Sequence, residues 1–249
     1  MHPHRIPYTI IALGTIATLG TWGGAKGIVL PYFLSDLALA PAIGSAIFTA
    51  SSVGSFIGSS GFAWLTSRFG LARVNQAGAL LLLAITAAIM FLQLPPLLYP
   101  AFVLFGLGSS MVELSSTLPI SIIYAGSQGG IMSLTHGFFG LGSLTGSMLA
   151  GLAMARGLNW RLPMALAAVL TGCWAFAYHR QPPLTLPPRA KGEQGTGGLL
   201  KDPLVWAATL ALTAGVAAEN GAGIWLATYL SQGKGLSPAA TTLGATCFF

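Results

Sequence analysis

The run Trp64-Leu65-Thr66-Ser67-Arg68-Phe69-Gly70-Leu71-Ala72-Arg73 decides the fold. Two arginines five positions apart frame a glycine. The stretches on either side, 42–66 and 75–94, contain no Asp, Glu, Lys or Arg. Each flank has about the 20 residues that a helix needs to cross a hydrocarbon layer about 30 Å thick. A basic, glycine-containing hinge between two such runs reads as the loop of a helical membrane hairpin.

The rest of the chain repeats that pattern. Its 249 residues are 54% hydrophobic and 6% charged, with a mean hydropathy of +0.75. A soluble domain carries about a quarter charged residues, and a disordered chain needs few apolar residues and high net charge, so both classes are excluded. Residues 1–178 hold eight charges: Arg5, Lys26, Asp36, Arg68, Arg73, Glu113, Arg156 and Arg161. The net charge of +6 is spread singly between apolar runs, which excludes a nucleic-acid surface. Cys173 and Cys247 lie in apolar runs and give neither a disulfide framework nor a zinc spacing, and no metal is expected.

Breaks at Pro, Gly and charged clusters give seven spans: 8–34, 42–66, 75–94, 97–124, 130–155, 162–178 and 203–230. The first is too long for the apolar core of a signal peptide and is read as retained. After the loop at 232–238 an eighth apolar run ends at Phe249. Even fourteen residues of helix would reach only about 21 Å, so the chain is expected to be cut within its eighth span. With the N-terminus inside, the cytoplasmic segments carry Arg5, Arg68, Arg73, Arg180, Arg189, Lys191 and Lys201. The other side carries Arg156, Arg161 and Lys234, so the basic excess predicts a cytoplasmic N-terminus. Residues 1–178 then form a six-span half, 179–202 a Pro- and Gly-rich cytoplasmic linker, and 203–249 the start of a second half.

Internal similarity refines this division. A shift of 88 takes Gly54, Ser55, Gly58 and Ser59 to Gly142, Ser143, Gly146 and Ser147. It also takes Arg68 and Arg73 to Arg156 and Arg161, Gly20 to Gly108, and Pro31 to Pro119. Three spans separate the copies, so the shift predicts an inverted 3+3 repeat within the first half. A shift of 197 takes Tyr32, Leu39, Pro41 and Ala42 to Tyr229, Leu236, Pro238 and Ala239, as expected for two parallel halves. The glycines at four-residue spacing read as seams where helix backbones approach in lipid. No glycine-rich loop ends in Lys-Ser/Thr, so ATP binding is not expected.

The loop 64–73 resembles the one between the second and third spans of the major facilitator superfamily, whose pattern is Gly-x-Leu-Ala-Asp-Arg-x-Gly-Arg-Arg. Arg68, Gly70 and Arg73 match; Ser67 stands at the acidic position and Ala63 at the first glycine. The segment 136–142, Gly106-Leu107-Gly108 followed by Glu113, and Ala218-Glu219 with Trp225 and Tyr229 resemble the fucose/glucose-permease-like branch. The resemblance covers essentially the whole chain and implies a twelve-span helical fold, of which about eight are present. It also implies that Glu113 serves substrate recognition and proton coupling, with Thr117 where an Asn is common. The first-span carboxylate of fucose-type members has no match, since Lys26 is the charged residue of that span.

A charge at bilayer depth costs about 2.5 to 3.5 kcal/mol, so its presence calls for a use. Glu113, near the middle of the fourth span, is expected to face a cavity. Desolvation favours the neutral form of a carboxylate, which is what proton uptake and release require. Lys26 lies toward the outer side, with about 11 Å of vertical offset from Glu113, so pairing between them and snorkelling to headgroups are both open. Glu219 and Asn220, followed by Gly221 and Gly223, suggest substrate contact or gating within the seventh span. Trp22 and Trp225 offer faces for a sugar ring or for packing. His136 is read as a helix-end hydrogen-bonder or a proton relay, and Asp36 as a loop residue.

Together these features predict an all-α polytopic membrane protein, a secondary transporter of a small polar solute such as a sugar, coupled to protons and working by alternating access. Its expected partners are the solute, protons and the bilayer; a monomer in the cell membrane is expected, with no cofactor and no enzymatic chemistry. The alternatives are an exporter of drugs or amphipathic metabolites on the same scaffold, and a truncated, non-transporting membrane fragment. Residues 1–249 alone are expected to insert without transporting.

Overall fold

In the computed structural model, the described residues are 5–182 and 201–248. They form an all-α bundle with no strand among them. Helices α1 to α6 cover Arg5–Asp36, Pro41–Phe69, Leu71–Phe91, Pro95–Ile123, Gln128–Ala155 and Arg161–His179. Helix α7 covers Pro203–Thr228, a π turn follows at Tyr229–Gly233, and α8 covers Pro238–Thr246. Most of the expected linker, 183–200, lies outside the described residues, as do 1–4 and Phe249.

Local chemistry sets these boundaries. Helices α2, α4, α7 and α8 begin on Pro41, Pro95, Pro203 and Pro238, where a missing N–H costs nothing because the first turn has no intrahelical acceptor. Asp202 caps α7 by accepting from the Leu204 amide at 2.8 Å. The turn from α2 to α3 is a single residue, Gly70, at φ +84°, a backbone conformation that favours glycine. Its amide donates to the Thr66 carbonyl at 3.0 Å and closes α2.

Five helices, α2 to α6, are long and apolar enough to cross a membrane by length and composition. Helices α1 and α7, 32 and 26 residues long, are not in that set. Lys26 interrupts one, and Glu219 with Asn220 interrupts the other. Both helices that break the apolar rule place those polar residues on the cavity described below.

Two glycine seams hold the core. In one, α1 packs on α5; in the other, α2 packs on α4. A Cβ added at Gly20 would stand 2.1 Å from the Phe139 carbonyl, and one at Gly142 would stand 1.9 Å from that of Ala17. In the second seam, a Cβ at Gly106 would stand 1.8 Å from the Ser51 carbonyl, and one at Gly54 1.9 Å from that of Val103. Backbone contact this close requires hydrogen for a side chain. Each seam also has a serine bond to the facing helix. Ser143 donates to the Gly20 carbonyl and Ser55 to the Gly106 carbonyl, both at 3.1 Å.

These contacts correspond one to one, with an offset of 88 between α2 and α5 and of 86 between α1 and α4. The shift of 88 for Gly20 and Pro31 is therefore out of register by two residues. Gly106, not Gly108, takes the place of Gly20. Gly108 instead packs on α3, where an added Cβ would meet the Gly78 carbonyl at 3.0 Å. Helices α3 and α6 pack on each other, α3 also on α4 and α6 also on α1, with Leu80, Leu166 and Val169 exposed on their outer faces. Helix α7 rests on α1, where a Cβ at Gly27 would stand 2.2 Å from the Gly223 carbonyl; α8 rests on α5.

Candidate functional site

A cavity of about 970 Å³ lies among helices α1 to α7. Six of the residues singled out in the sequence line it: Trp22, Lys26, Glu113, His136, Glu219 and Asn220. They come from four helices and are far apart in the chain, and the packing of α1 on α4, α5 and α7 collects them.

The wall is aromatic. Trp22 and Phe105 meet edge to face at 5.1 Å between centroids, Phe102 follows at 6.1 Å from Phe105, and Phe33 and Phe48 lie 6.3 and 5.9 Å from Phe102. Phe139 of α5 adds a further face. Trp22 is buried, and its indole N–H points at the Thr171 hydroxyl at 3.5 Å. It serves packing and lining at once.

Polar groups sit at two places on this wall. At the first, the Lys26 ammonium donates to the Asn220 Oδ1 at 3.1 Å, and the Asn220 amide donates back to the Val216 carbonyl at 3.0 Å. Glu219 lies near enough to act on the Lys26 charge but forms no contact within 4.0 Å. Lys26 does not pair with Glu113: between described residues, the one ion pair is elsewhere. At the second place, Glu113 of α4 and His136 of α5 interact electrostatically. His136 is eight residues into α5, about 12 Å along its axis, and not at the helix end that its place at the start of the fifth span suggested.

Two expected residues stay out of the cavity. The Thr117 hydroxyl donates to the Glu113 carbonyl at 3.0 Å, and its side chain lines a separate groove with Phe62, Thr66 and Met132. Trp225 turns toward α2, within 3.3 Å of where a Gly44 Cβ would stand. The loop residues Arg68, Gly70 and Arg73 are also remote from the cavity. Arg68 lies over the Phe69 ring at 5.9 Å, and Arg73 is exposed.

One cluster was not anticipated. Asp36, read as a loop residue, ends α1 and pairs with Arg161 at 2.8 Å. It also accepts from the Trp160 indole at 3.1 Å. Arg161 donates through Nε to the Met90 carbonyl at 2.6 Å and stacks on Trp160 at 4.5 Å. The clasp ties the end of α1 to the end of α3 and the start of α6. The indole bond first, then the guanidinium, holds the Asp36 carboxyl below the usual carboxylate range. Trp160 also lines the cavity, so the clasp borders the site.

Comparisons with known proteins bear on this arrangement. A profile of the Major Facilitator Superfamily matches residues 11–249. Among solved structures, the chain is similar to one titled "Crystal structure of D-xylose-proton symporter", with a TM-score of 0.62 and 14% identity. The match covers 99% of this chain and 66% of that one, so the chain spans a little under two thirds of its length. At that identity the likeness is one of fold. No curated protein sequence matches the chain.

Proposed function

Because the chain belongs to the Major Facilitator Superfamily, we propose that it supplies the first six-span half and the seventh span of a secondary transporter, which moves a small polar solute through this cavity by alternating access. The observation that carries the reading is the convergence of Lys26, Glu113, His136, Glu219 and Asn220 on one cavity within the helical bundle. Each charge there is costly, and their gathering on one space supports a solute pathway over scattered structural uses.

In this reading Glu113 carries the coupling proton and His136 exchanges protons with it across the cavity. The repeated seam contacts support residues 1–178 as an inverted 3+3 half, with 179–202 joining it to the second half. The basic excess supports a cytoplasmic N-terminus. Sugars are the first solute class to test, since the solved neighbour's title names a sugar–proton symporter. The aromatic wall supports a second reading, export of an amphipathic solute. The two readings demand opposite directions of net movement.

The test is reconstitution of the full-length protein in liposomes with an imposed pH gradient. Uphill accumulation of a solute, lost when the gradient is dissipated, is the expected result. Absence of both accumulation and exchange across a panel of sugars, acids and amines would end the transporter reading; proton-driven expulsion alone would select the second reading.

A further inference from the structure

We propose that the solute carries a single carboxylate that seats on Lys26, with its body against the aromatic wall formed by Trp22, Phe105 and Phe139. The proposal rests on the reading of this cavity as the solute site and names the solute's chemical class.

The argument starts from what Lys26 lacks. An ammonium offers three N–H donors. Among the described residues one of them is accepted, by the Asn220 Oδ1, a neutral amide oxygen. Glu219 is near enough to steady the charge, yet it lies outside ion-pair distance and takes no donor. A half-buried cation with spare donors on a cavity wall is a ready partner for an acceptor from the solute. A carboxylate supplies two acceptor oxygens and the opposite charge, forming the stronger, charge-assisted kind of hydrogen bond.

The rest of the cavity limits the choice. A cationic solute would meet Lys26, and Glu113 is already in the field of His136. A dianion would add a second negative charge beside Glu219 and Glu113, with no second cation from Lys or Arg in the lining. One negative charge fits. The rings of Trp22, Phe105 and Phe139 offer flat apolar faces, which accept either the C–H face of a sugar ring or an aromatic ring. A sugar acid and an aromatic acid therefore share the required chemistry.

The experiment uses the full-length protein in lipid nanodiscs, with its melting temperature followed by tryptophan fluorescence. Galacturonate and benzoate are the acid probes, and galactose and benzamide are their neutral partners. At least one acid should raise the melting temperature saturably, with a Kd at least tenfold below that of its neutral partner. Galacturonate as that acid identifies a sugar-acid solute, and benzoate an aromatic one. Lys26→Gln should erase the preference and Lys26→Arg should keep it. If Lys26→Gln lowers the unliganded melting temperature, Lys26→Met takes its place, and the wild-type comparison of acid with neutral probe stands without any variant. Equal binding of acid and neutral partner, no binding of either acid, or a preserved preference in Lys26→Gln would overturn the proposal. Counterflow separates the two readings. Exchange of a neutral sugar with no acid preference removes the carboxylate and leaves the transporter. Acid binding with no counterflow of any solute removes the transporter and leaves the site.

Discussion

In one half of the bundle Ser55 of α2 donates to the Gly106 carbonyl of α4; in the other, Ser143 of α5 donates to the Gly20 carbonyl of α1. The α2–α3 and α5–α6 junctions carry the same arginine pair, Arg68 with Arg73 and Arg156 with Arg161. Among the described residues, only the second junction finds a carboxylate, in Asp36. The units α1–α3 and α4–α6 thus agree where backbones touch and differ where charges sit. Backbone contact at a glycine is intolerant of any side chain, so the seams cannot diverge independently. A charge at a helix end contributes little and is free to come and go. The polar insertions follow the same rule. Under the offset of 86, Glu113 falls opposite Gly27, next to Lys26, so the two units place opposite charges at neighbouring positions.

The seams predict the largest effect. Gly106→Val and Gly20→Val each push a branched side chain into a facing carbonyl, at 1.8 and 2.1 Å from the new Cβ. Each should cost at least the roughly 3 kcal/mol at the upper end of overpacking, and folded protein recovered from membranes should fall sharply and equally in both. Gly137→Ala, where nothing lies within 4 Å, should leave recovery unchanged. A mild effect at one seam and a severe one at the other would break the equivalence.

The charges predict the next largest effect. Glu113→Gln in the full-length protein should abolish accumulation driven by a pH gradient while solute counterflow survives, because the amide keeps the shape and does not titrate. Normal accumulation in that variant would return Glu113 to a structural role and leave the cavity without an assigned proton carrier.

How much of this was legible in the sequence follows from the kind of interaction. The spans and the glycine seams were readable because each is a local pattern: apolar length in one case and four-residue spacing in the other. The register between α1 and α4 was misread by two residues because a small apolar alphabet aligns well at several shifts, and only the Ser55 and Ser143 bonds discriminate. The cavity residues could be chosen by cost alone, since a charge at bilayer depth stands out. Their grouping could not, because Lys26 and Asn220 are 194 positions apart. Thr117 was drawn in by the family pattern, which has an Asn there, and Trp225 by its flat ring; helix rotation turns both away from the cavity. Asp36 was passed over because nothing near it in sequence gave it a partner; Trp160 is 124 positions on.

The clasp predicts a moderate effect with a defined pH dependence. Asp36→Ala removes a part-exposed ion pair and an indole hydrogen bond, together about 1 to 2 kcal/mol. The folded carboxyl is held low by Trp160 and Arg161. Its contribution is therefore fully present above the unfolded value of about 4, and it is lost as pH falls through the lower folded value. The melting-temperature gap between wild type and Asp36→Ala should be constant from pH 8 to 5 and close below pH 4. A gap that widens on acidification would mean that the pair does not stabilise the fold.

The smallest effect is the most direct test of why the ends differ. Under the offsets of 86 and 88, Asp36 falls opposite Ile122, Arg161 opposite Arg73 and Trp160 opposite Ala72, so the end that lacks a clasp keeps the arginine and lacks the carboxylate and the indole. Ile122→Asp supplies the carboxylate. The half-buried isoleucine gives up apolar contact, so the single variant should be slightly less stable than the wild type. The informative quantity is the coupling with Arg73. In a double-mutant cycle with Arg73→Gln, an exposed or half-buried pair should show about 0.2 to 1 kcal/mol of favourable coupling, fading in molar salt. Coupling in that range would mean that the two ends share backbone geometry and differ only in side chains. Coupling indistinguishable from zero at low salt would mean that the backbones of the two ends have diverged, and the correspondence would then hold for the seams alone.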